Sequence, residues 1–274
     1  MEQTCYRHTD RETGVSCSAC GRPICPDCMT TTSVGMRCPE CSREKTKVRN
    51  LRSTRTQPTA TYVLIGINVL VFVAASVLDP QAALRGGGEL IARGDLYSSV
   101  VGGQHEYWRL LTSGFLHAGP LHLLLNMFFI YVLGGMLEPA LGRARFVALY
   151  FVALFGGSLG ALLLSPDSPT VGASGAAFGL LGGAIVLARD RGIPIWESGL
   201  GATLLINVVF TVSFAGKISL GGHLGGLIAG GLAALVLVEL GERRRQDVLA
   251  YLGCLALAAV CVAGALAAAH GSVA

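Results

Sequence analysis

The sequence predicts an all-α polytopic membrane protein preceded by a small zinc-binding module, and three observations lead there. The 274 residues are 52% hydrophobic and only 14% charged, a combination that water-soluble chains of this length rarely show. The apolar residues are gathered into runs long enough to cross a bilayer, which takes roughly 20 residues each. Finally, every cysteine except Cys254 and Cys261 falls within the first 41 residues, in regularly spaced pairs.

Those pairs are Cys5-x-x-His8, Cys17-x-x-Cys20, Cys25-x-x-Cys28 and Cys38-x-x-Cys41. Eight soft ligands in four pairs are what two tetrahedral zinc ions require. A disulfide framework would leave His8 unexplained, and it would not persist on the cytoplasmic side of a membrane, where this segment is expected to lie. So short a segment has little core of its own, and metal would supply most of its folding energy. The module therefore covers residues 1–41. Residues 42–59 form a basic juxtamembrane linker with Lys45, Lys47, Arg49, Arg52 and Arg55. Without a basic, aromatic stripe, the module suits a cytoplasmic protein partner or a regulatory role better than nucleic acid.

Seven candidate spans follow, at 61–78, 121–137, 146–164, 173–187, 199–215, 220–240 and 248–269. The fourth is the shortest. The polar first fifty residues contain no secretory h-region, so the first span is expected to target the chain. The polar stretch between the first two spans is too long for a simple turn and should be structured loop packed on the membrane domain. With the N-terminus cytoplasmic, the inner loops carry Arg143, Arg145, Arg189, Arg191 and Arg243 to Arg245, while Lys217 alone marks a short outer loop. That asymmetry obeys the positive-inside rule. The scattered basic residues thus report topology, not nucleic-acid binding.

In this threading the second, fourth and sixth spans all run inward, and each begins with polar residues: His122 and Asn126, Ser174, and His223. At about 1.5 Å rise per residue they share one depth near the outer surface. Polar groups inside a bilayer face a partner or a wet cavity, because hydrocarbon leaves their hydrogen bonds unmet. A serine hydroxyl becomes a nucleophile when a base takes its proton, and His223 is the imidazole placed to do so. No acidic residue stands near it in the fourth or sixth span, Glu239 lying at the far end of the sixth, so a dyad is expected in place of a triad. His122 and Asn126, four apart, lie on one helix face as candidate oxyanion donors, and the free N–H of Ser174 at a helix start can join them.

Small residues support the assembly. Gly175, Gly179 and Gly183 recur every fourth residue, as do Gly222, Gly226 and Gly230, the pattern that lets helices approach closely in lipid. Phe178, one turn below Ser174, should stack on His223. Asn68 and Asn207 read as interhelical hydrogen-bond residues, and Cys254 and Cys261 as inert packing.

Taken together, these motifs resemble the rhomboid family of intramembrane serine proteases over roughly 59–240. Gly172-Ala-Ser174-Gly175 with Gly179 is similar to the family's nucleophile motif, Gly222-His223-Leu-Gly-Gly226 to its base motif, and His122-Leu-Leu-Leu-Asn126 to its oxyanion helix. Trp108-Arg109, His117, Glu138 and Gly142 correspond to further landmarks. The resemblance implies a rhomboid-like six-helix bundle over 60–240 plus one C-terminal transmembrane helix (6+1), with 241–274 holding a loop and that seventh helix. It implies cleavage of transmembrane protein substrates near their outer ends through an acyl-enzyme on Ser174, with no catalytic cofactor. It also implies a mobile fifth helix beside Lys217 and a first loop lying partly in the bilayer. Many relatives carry tyrosine where Phe178 stands, so orientation of His223 should rest more on packing.

The N-terminal pattern resembles B-box-type double zinc fingers, which implies that the first and third pairs share one ion and the second and fourth the other. Two rival functions stand beside the protease: a proteolytically inactive rhomboid-like factor that binds membrane proteins, whose known forms lack the serine or the histidine, and a transporter, for which internal repeats and broken helices would be expected. A bacterial plasma membrane suits the Ala, Gly and Leu content and compact loops.

Overall fold

The computed structural model describes residues 3–33, 35–43, 57–214 and 218–272. Two compact units result, Met1–Arg55 and Thr56–Ala274. The linker cations Lys45, Lys47, Arg49, Arg52 and Arg55, and Lys217 beside the fifth span, lie outside the described residues.

In the first unit β1 (Gln3–Thr4) pairs antiparallel with β2 (Glu12–Thr13), β3 (Thr30–Thr32) with β4 (Gly35–Arg37), and α1 (Pro39–Arg43) follows. Five cysteines and Ile24 make its buried centre. A core built mostly of thiols buries too little hydrocarbon to hold so short a chain by itself.

The second unit is helical: α2 (Thr59–Leu78), the short α3 (Pro80–Arg85), α4 (Glu89–Ala92) and α5 (Arg109–Thr112), then α6 (Pro120–Leu141), α7 (Arg143–Leu164), α8 (Ser174–Asp190), α9 (Leu200–Ser213), α10 (Leu220–Val236, extended by a π-helical turn over Leu237–Arg243) and α11 (Asp247–Gly271). A helix stands at each of the seven candidate spans. Five of them are long and apolar enough to cross a membrane, so the chain is an integral, multi-pass membrane protein. The other two, α8 and α9, have 17 and 14 residues; the fifth, not the fourth, is thus the shortest among the described residues. A helix can start below the surface when protein surrounds its end, because neighbouring chain then satisfies backbone groups that lipid could not.

Burial separates centre from periphery. In α7, 61% of the membrane window is buried inside the bundle, against 22% for α2 and for α11. Around α7 stand α8 and α10, and what joins the three is glycine. A Cβ on Gly226 would overlap the carbonyl oxygen of Gly175, and one on Gly230 that of Gly179. On a second face of α10, Gly221 and Gly225 meet the carbonyls of Gly160 and Gly156 in α7 in the same way. Gly222 joins the seam through its backbone, its carbonyl oxygen standing against Gly157 and Gly175, while Gly183 packs on the Leu149 side chain of α7.

A buried carboxylate ties α2 to α6. Glu138, fully buried, accepts the Ala60 N–H at 2.9 Å, the Thr61 N–H at 2.7 Å and the Thr61 hydroxyl at 2.8 Å. It thereby satisfies first-turn donors of α2 that otherwise have no partner, at the helix end that favours negative charge. Arg143 stands 3.6 Å from the same carboxylate.

The long first loop is structured, as its length demanded. Buried Arg109 donates to the Ala92 carbonyl, the Asp95 carbonyl and the Asp95 carboxylate at 2.9, 2.9 and 2.6 Å, and pairs with Glu106. Leu96, Val100, Val101 and Leu110 of the loop form one apolar cluster with Ala161 and Leu162 of α7 and Ala265 and Ala269 of α11. Gly102 sits so close to the Ala269 carbonyl that a side chain there would overlap it. At the other end of the bundle, Arg145 pairs with Glu242 and Asp247, Arg191 with Glu242, and Arg243 with Asp190. The arginines assigned to inner loops therefore meet at one end.

Asn207 departs from expectation, donating to the Thr203 carbonyl four residues back in its own helix at 2.8 Å. Asn68 likewise donates to the Leu64 carbonyl at 2.8 Å, but its amide also interacts with the Tyr150 hydroxyl of α7. In lipid the i−4 carbonyl is the nearest acceptor, and a short amide reaches it without a neighbour.

Replacing Gly226 with Ala should separate α8 from α10 and destabilise the fold by about 1–3 kcal/mol. Gly135→Ala, where open space surrounds the new methyl, should leave the melting temperature in detergent within a degree or two of the parent.

Candidate active site and metal-ligand clusters

Backbone pairing between the first loop and the segment ahead of α8 sets the site. Leu96 and Thr170 exchange backbone hydrogen bonds at 3.0 and 2.9 Å, the Ser98 N–H reaches the Pro166 carbonyl at 2.7 Å, and the Gly172 N–H reaches that of Ser113 at 2.9 Å. Arg109 holds Asp95, next to Leu96, so the buried guanidinium fixes this chain of contacts at its root. The segment enters α8 through Gly172 at φ +127, where a Cβ would lie 2.7 Å from Nε2 of His122. Only glycine admits that backbone and that proximity together. Ser174 then opens α8, whose first internal bond runs from the Ala177 N–H to the Ala173 carbonyl. The N–H groups of Ser174 and Gly175 consequently have no helical partner.

Ser174, His223, His122, Asn126 and Phe178 all line one cavity of about 810 Å³. On α10 the His223 ring lies flat on Phe178, centroids 3.9 Å apart and planes 18° from parallel. That is the expected stack, one turn below Ser174 on the same helix. Ser174 and His223 line this cavity together, with no hydrogen bond between their side chains.

On α6, Nδ1 of His122 accepts the Ala118 N–H at 3.2 Å. An accepting Nδ1 puts the ring proton on Nε2, the nitrogen beside Gly172, so His122 presents a donor to the space above Ser174. Asn126 spends one amide hydrogen on the His122 carbonyl at 2.9 Å and keeps the other. His117, in the loop before α6, is buried with its ring edge-on to His122, centroids 5.3 Å apart. Burial pushes its pKa down to about 3, with the proximity of His122 adding to the shift.

One partner is absent from the sequence reading. Thr211 of α9, buried, lies with Oγ1 2.8 Å from Nδ1 of His223. Its signal in the sequence is the spacing Asn207-x-x-x-Thr211, two polar groups on one face toward the C-terminal end of the fifth span. Asn207 also lines the cavity.

The first unit gathers its ligands in two groups: Cys5, His8, Cys25 and Cys28, and Cys17, Cys20, Cys38 and Cys41. First pair thus meets third, and second meets fourth. Nδ1 of His8 lies 3.3 Å from Sγ of Cys28, 3.4 Å from that of Cys25 and 4.0 Å from that of Cys5, while Sγ of Cys20 and Cys38 are 3.8 Å apart. Bonds of about 2.0–2.3 Å to a tetrahedral ion would give edges of about 3.5–3.8 Å between ligands. The Cys38 N–H points to Sγ of Cys17 at 3.3 Å, a hydrogen bond that favours a thiolate. Both groups can hold a metal ion.

Comparison with known proteins decides the family. A Rhomboid domain model matches residues 104–240. The chain belongs to the rhomboid family. Among its relatives are rhomboid protease GluP of Bacillus subtilis, 33% identical over 184 residues, 66% of this chain and 35% of that protein, and YdcA of the same organism, 39% identical over 142 residues, 51% of this chain and 71% of that protein. The chain spans about a third of the length of GluP. Inactive RHOMBOID-like protein 8 of Arabidopsis thaliana is 36% identical over 110 residues, 40% of this chain and 31% of that protein. Rhomboid membership therefore does not by itself bring activity, and the argument for catalysis must rest on residues. The rhomboid match covers 104–240, so both α2 and α11 lie outside it.

Chelator-released metal from the purified full chain should measure two divalent ions per molecule. Cys25→Ser should release one of them to weak chelators while leaving the second group loaded.

Proposed function

We propose that this chain is an intramembrane serine endopeptidase that cleaves transmembrane protein substrates near the outer membrane face. The observation that carries the reading is the shared cavity in which Ser174, His223, His122 and Asn126 converge, on helices whose separation glycine backbones fix. Names of similar proteins, two of them proteases of Bacillus subtilis and Toxoplasma gondii, agree with it.

In this mechanism Oγ of Ser174 attacks the scissile carbonyl while Nε2 of His223 takes its proton, forming a tetrahedral intermediate. The oxyanion accepts from Nε2–H of His122, Nδ2–H of Asn126 and the free N–H of Ser174. His223 returns the proton to the departing amine, leaving an acyl-enzyme on Ser174. Water entering the cavity, activated by His223, then releases the second product. Removing one oxyanion donor in such chemistry lowers turnover by about 10²–10³-fold.

The N-terminus is cytoplasmic by the arginine asymmetry, and a bacterial plasma membrane is the proposed location. The eight ligands of the first unit hold two structural zinc ions, since thiolate and imidazole in tetrahedral sets of four suit zinc. With both ions closed off by protein ligands they take no part in cleavage. The module's exposed surface serves a cytoplasmic protein partner. The second reading, an inactive rhomboid that binds membrane proteins, is favoured by similarity to an inactive relative, but this chain keeps both the serine and the histidine.

A fluorophosphonate probe should label the purified protein, and both Ser174→Ala and His223→Ala should abolish labelling with melting temperature unchanged. Absence of labelling in a folded parent protein would transfer the assignment to the binding reading.

A further inference from the structure

We infer that Thr211 is the positioning residue of the proposed base: its hydroxyl oxygen accepts from Nδ1–H of His223 and so leaves Nε2 unprotonated and facing Ser174. The inference rests on the serine protease reading above and supplies the third group that the sequence lacks.

Proton bookkeeping carries it. A threonine hydroxyl has one hydrogen and two lone pairs. Oγ1 of Thr211 directs its hydrogen to the Asn207 carbonyl one turn back, at 2.7 Å, the usual habit of threonine within a helix. What remains toward His223, at 2.8 Å, is a lone pair, so the shared proton belongs to Nδ1. A neutral imidazole protonated on Nδ1 has its lone pair on Nε2. That is the tautomer a general base needs, and the one a buried carboxylate enforces in other serine hydrolases. Here the dipole of a hydroxyl does the same without a charge to desolvate, which suits a site within hydrocarbon. The remaining neighbours cannot substitute. Phe178 stacks on the ring face and offers no acceptor, and among the described residues Thr211 is the sole hydrogen-bond partner of the His223 side chain.

Burial along α9 adds a second argument. Only Leu200, Gly201 and Thr211 of this helix are buried; the first two are at one end, and Thr211 is near the other. The outer part of α9 therefore meets the bundle interior through the residue that bonds the base. Displacing that end of the helix would remove the acceptor from His223 and leave its tautomer unset.

Four variants and a spectroscopic reading test this. Thr211→Val, which keeps the shape and removes the hydroxyl, should lower kcat for a transmembrane substrate by about 10- to 100-fold, the range for groups that orient a functional imidazole, with KM within about twofold. Thr211→Ser, which keeps the hydroxyl, should recover most of the loss. Nitrogen-15 spectra of histidine-labelled protein in bilayers, assigned by difference from His223→Ala, should show Nδ1 protonated and Nε2 bare. In Thr211→Val the two tautomers should mix. The same signature should persist in Ser174→Ala, so the bond is read even in a chain without a nucleophile, and failure of the protease reading is separable from failure of this one. A proton on Nε2 in the parent protein, or full turnover with an unchanged spectrum in Thr211→Val, would overturn the inference.

Discussion

Contact between bare helix backbones is the constraint on which the membrane unit depends. In hydrocarbon no hydrophobic force draws helices together, so association relies on close packing and on weak Cα–H···O contacts between backbones. Gly175 and Gly179 of α8 lie against Gly226 and Gly230 of α10, while Gly156 and Gly160 of α7 receive Gly225 and Gly221. A methyl group at most of these positions would need space that a carbonyl oxygen occupies. Ser174 stands on one of these helices and His223 on another, so the width of the proposed reaction space is set by the absence of side chains several residues away. Phe178, pressed on the imidazole, fills the remaining gap.

The second support comes from outside the bundle. Arg109 anchors Asp95, Leu96 pairs with Thr170, and Gly172 hangs from Ser113, so the approach to Ser174 is held by loop as well as helix. This explains why a buried arginine, costly without partners, stands in a segment with no chemistry of its own. Its donors go to carboxylates and carbonyls that would otherwise be unsatisfied. Glu138 plays the corresponding role at the opposite end of α6, joining α2 to the bundle through three donors.

Much of this was legible in the sequence because lipid punishes exceptions. Spans of apolar residues announce themselves by length, and Ser174, His122, Asn126 and His223 stand out as polar residues where such residues are expensive. The four ligand pairs in the first 41 residues are likewise exposed by spacing, whereas their alternation was implied only by the resemblance to B-box-type fingers. Less legible was anything decided by which face a residue presents. Gly221 and Gly225 are indistinguishable in sequence from Gly226 and Gly230, yet the first two meet α7 and the last two meet α8. Asn207 looks like a bridge between helices and turns out to bond its own, since an i−4 carbonyl is always within reach. Thr211 passed unnoticed for the opposite reason: threonine is common in apolar helices, and only the rotation of α9 brings its oxygen to His223. Glu138 read as a landmark, but that it caps α2 required the fold.

Gly102 of the first loop rests on Ala269, and Leu96, Val100 and Val101 share a cluster with Ala265. The loop thus leans on a helix synthesised long after it. Ser174, His223, His122 and Asn126 all precede this prop as the chain leaves the ribosome, so the rim beside them is completed only once α11 joins the bundle.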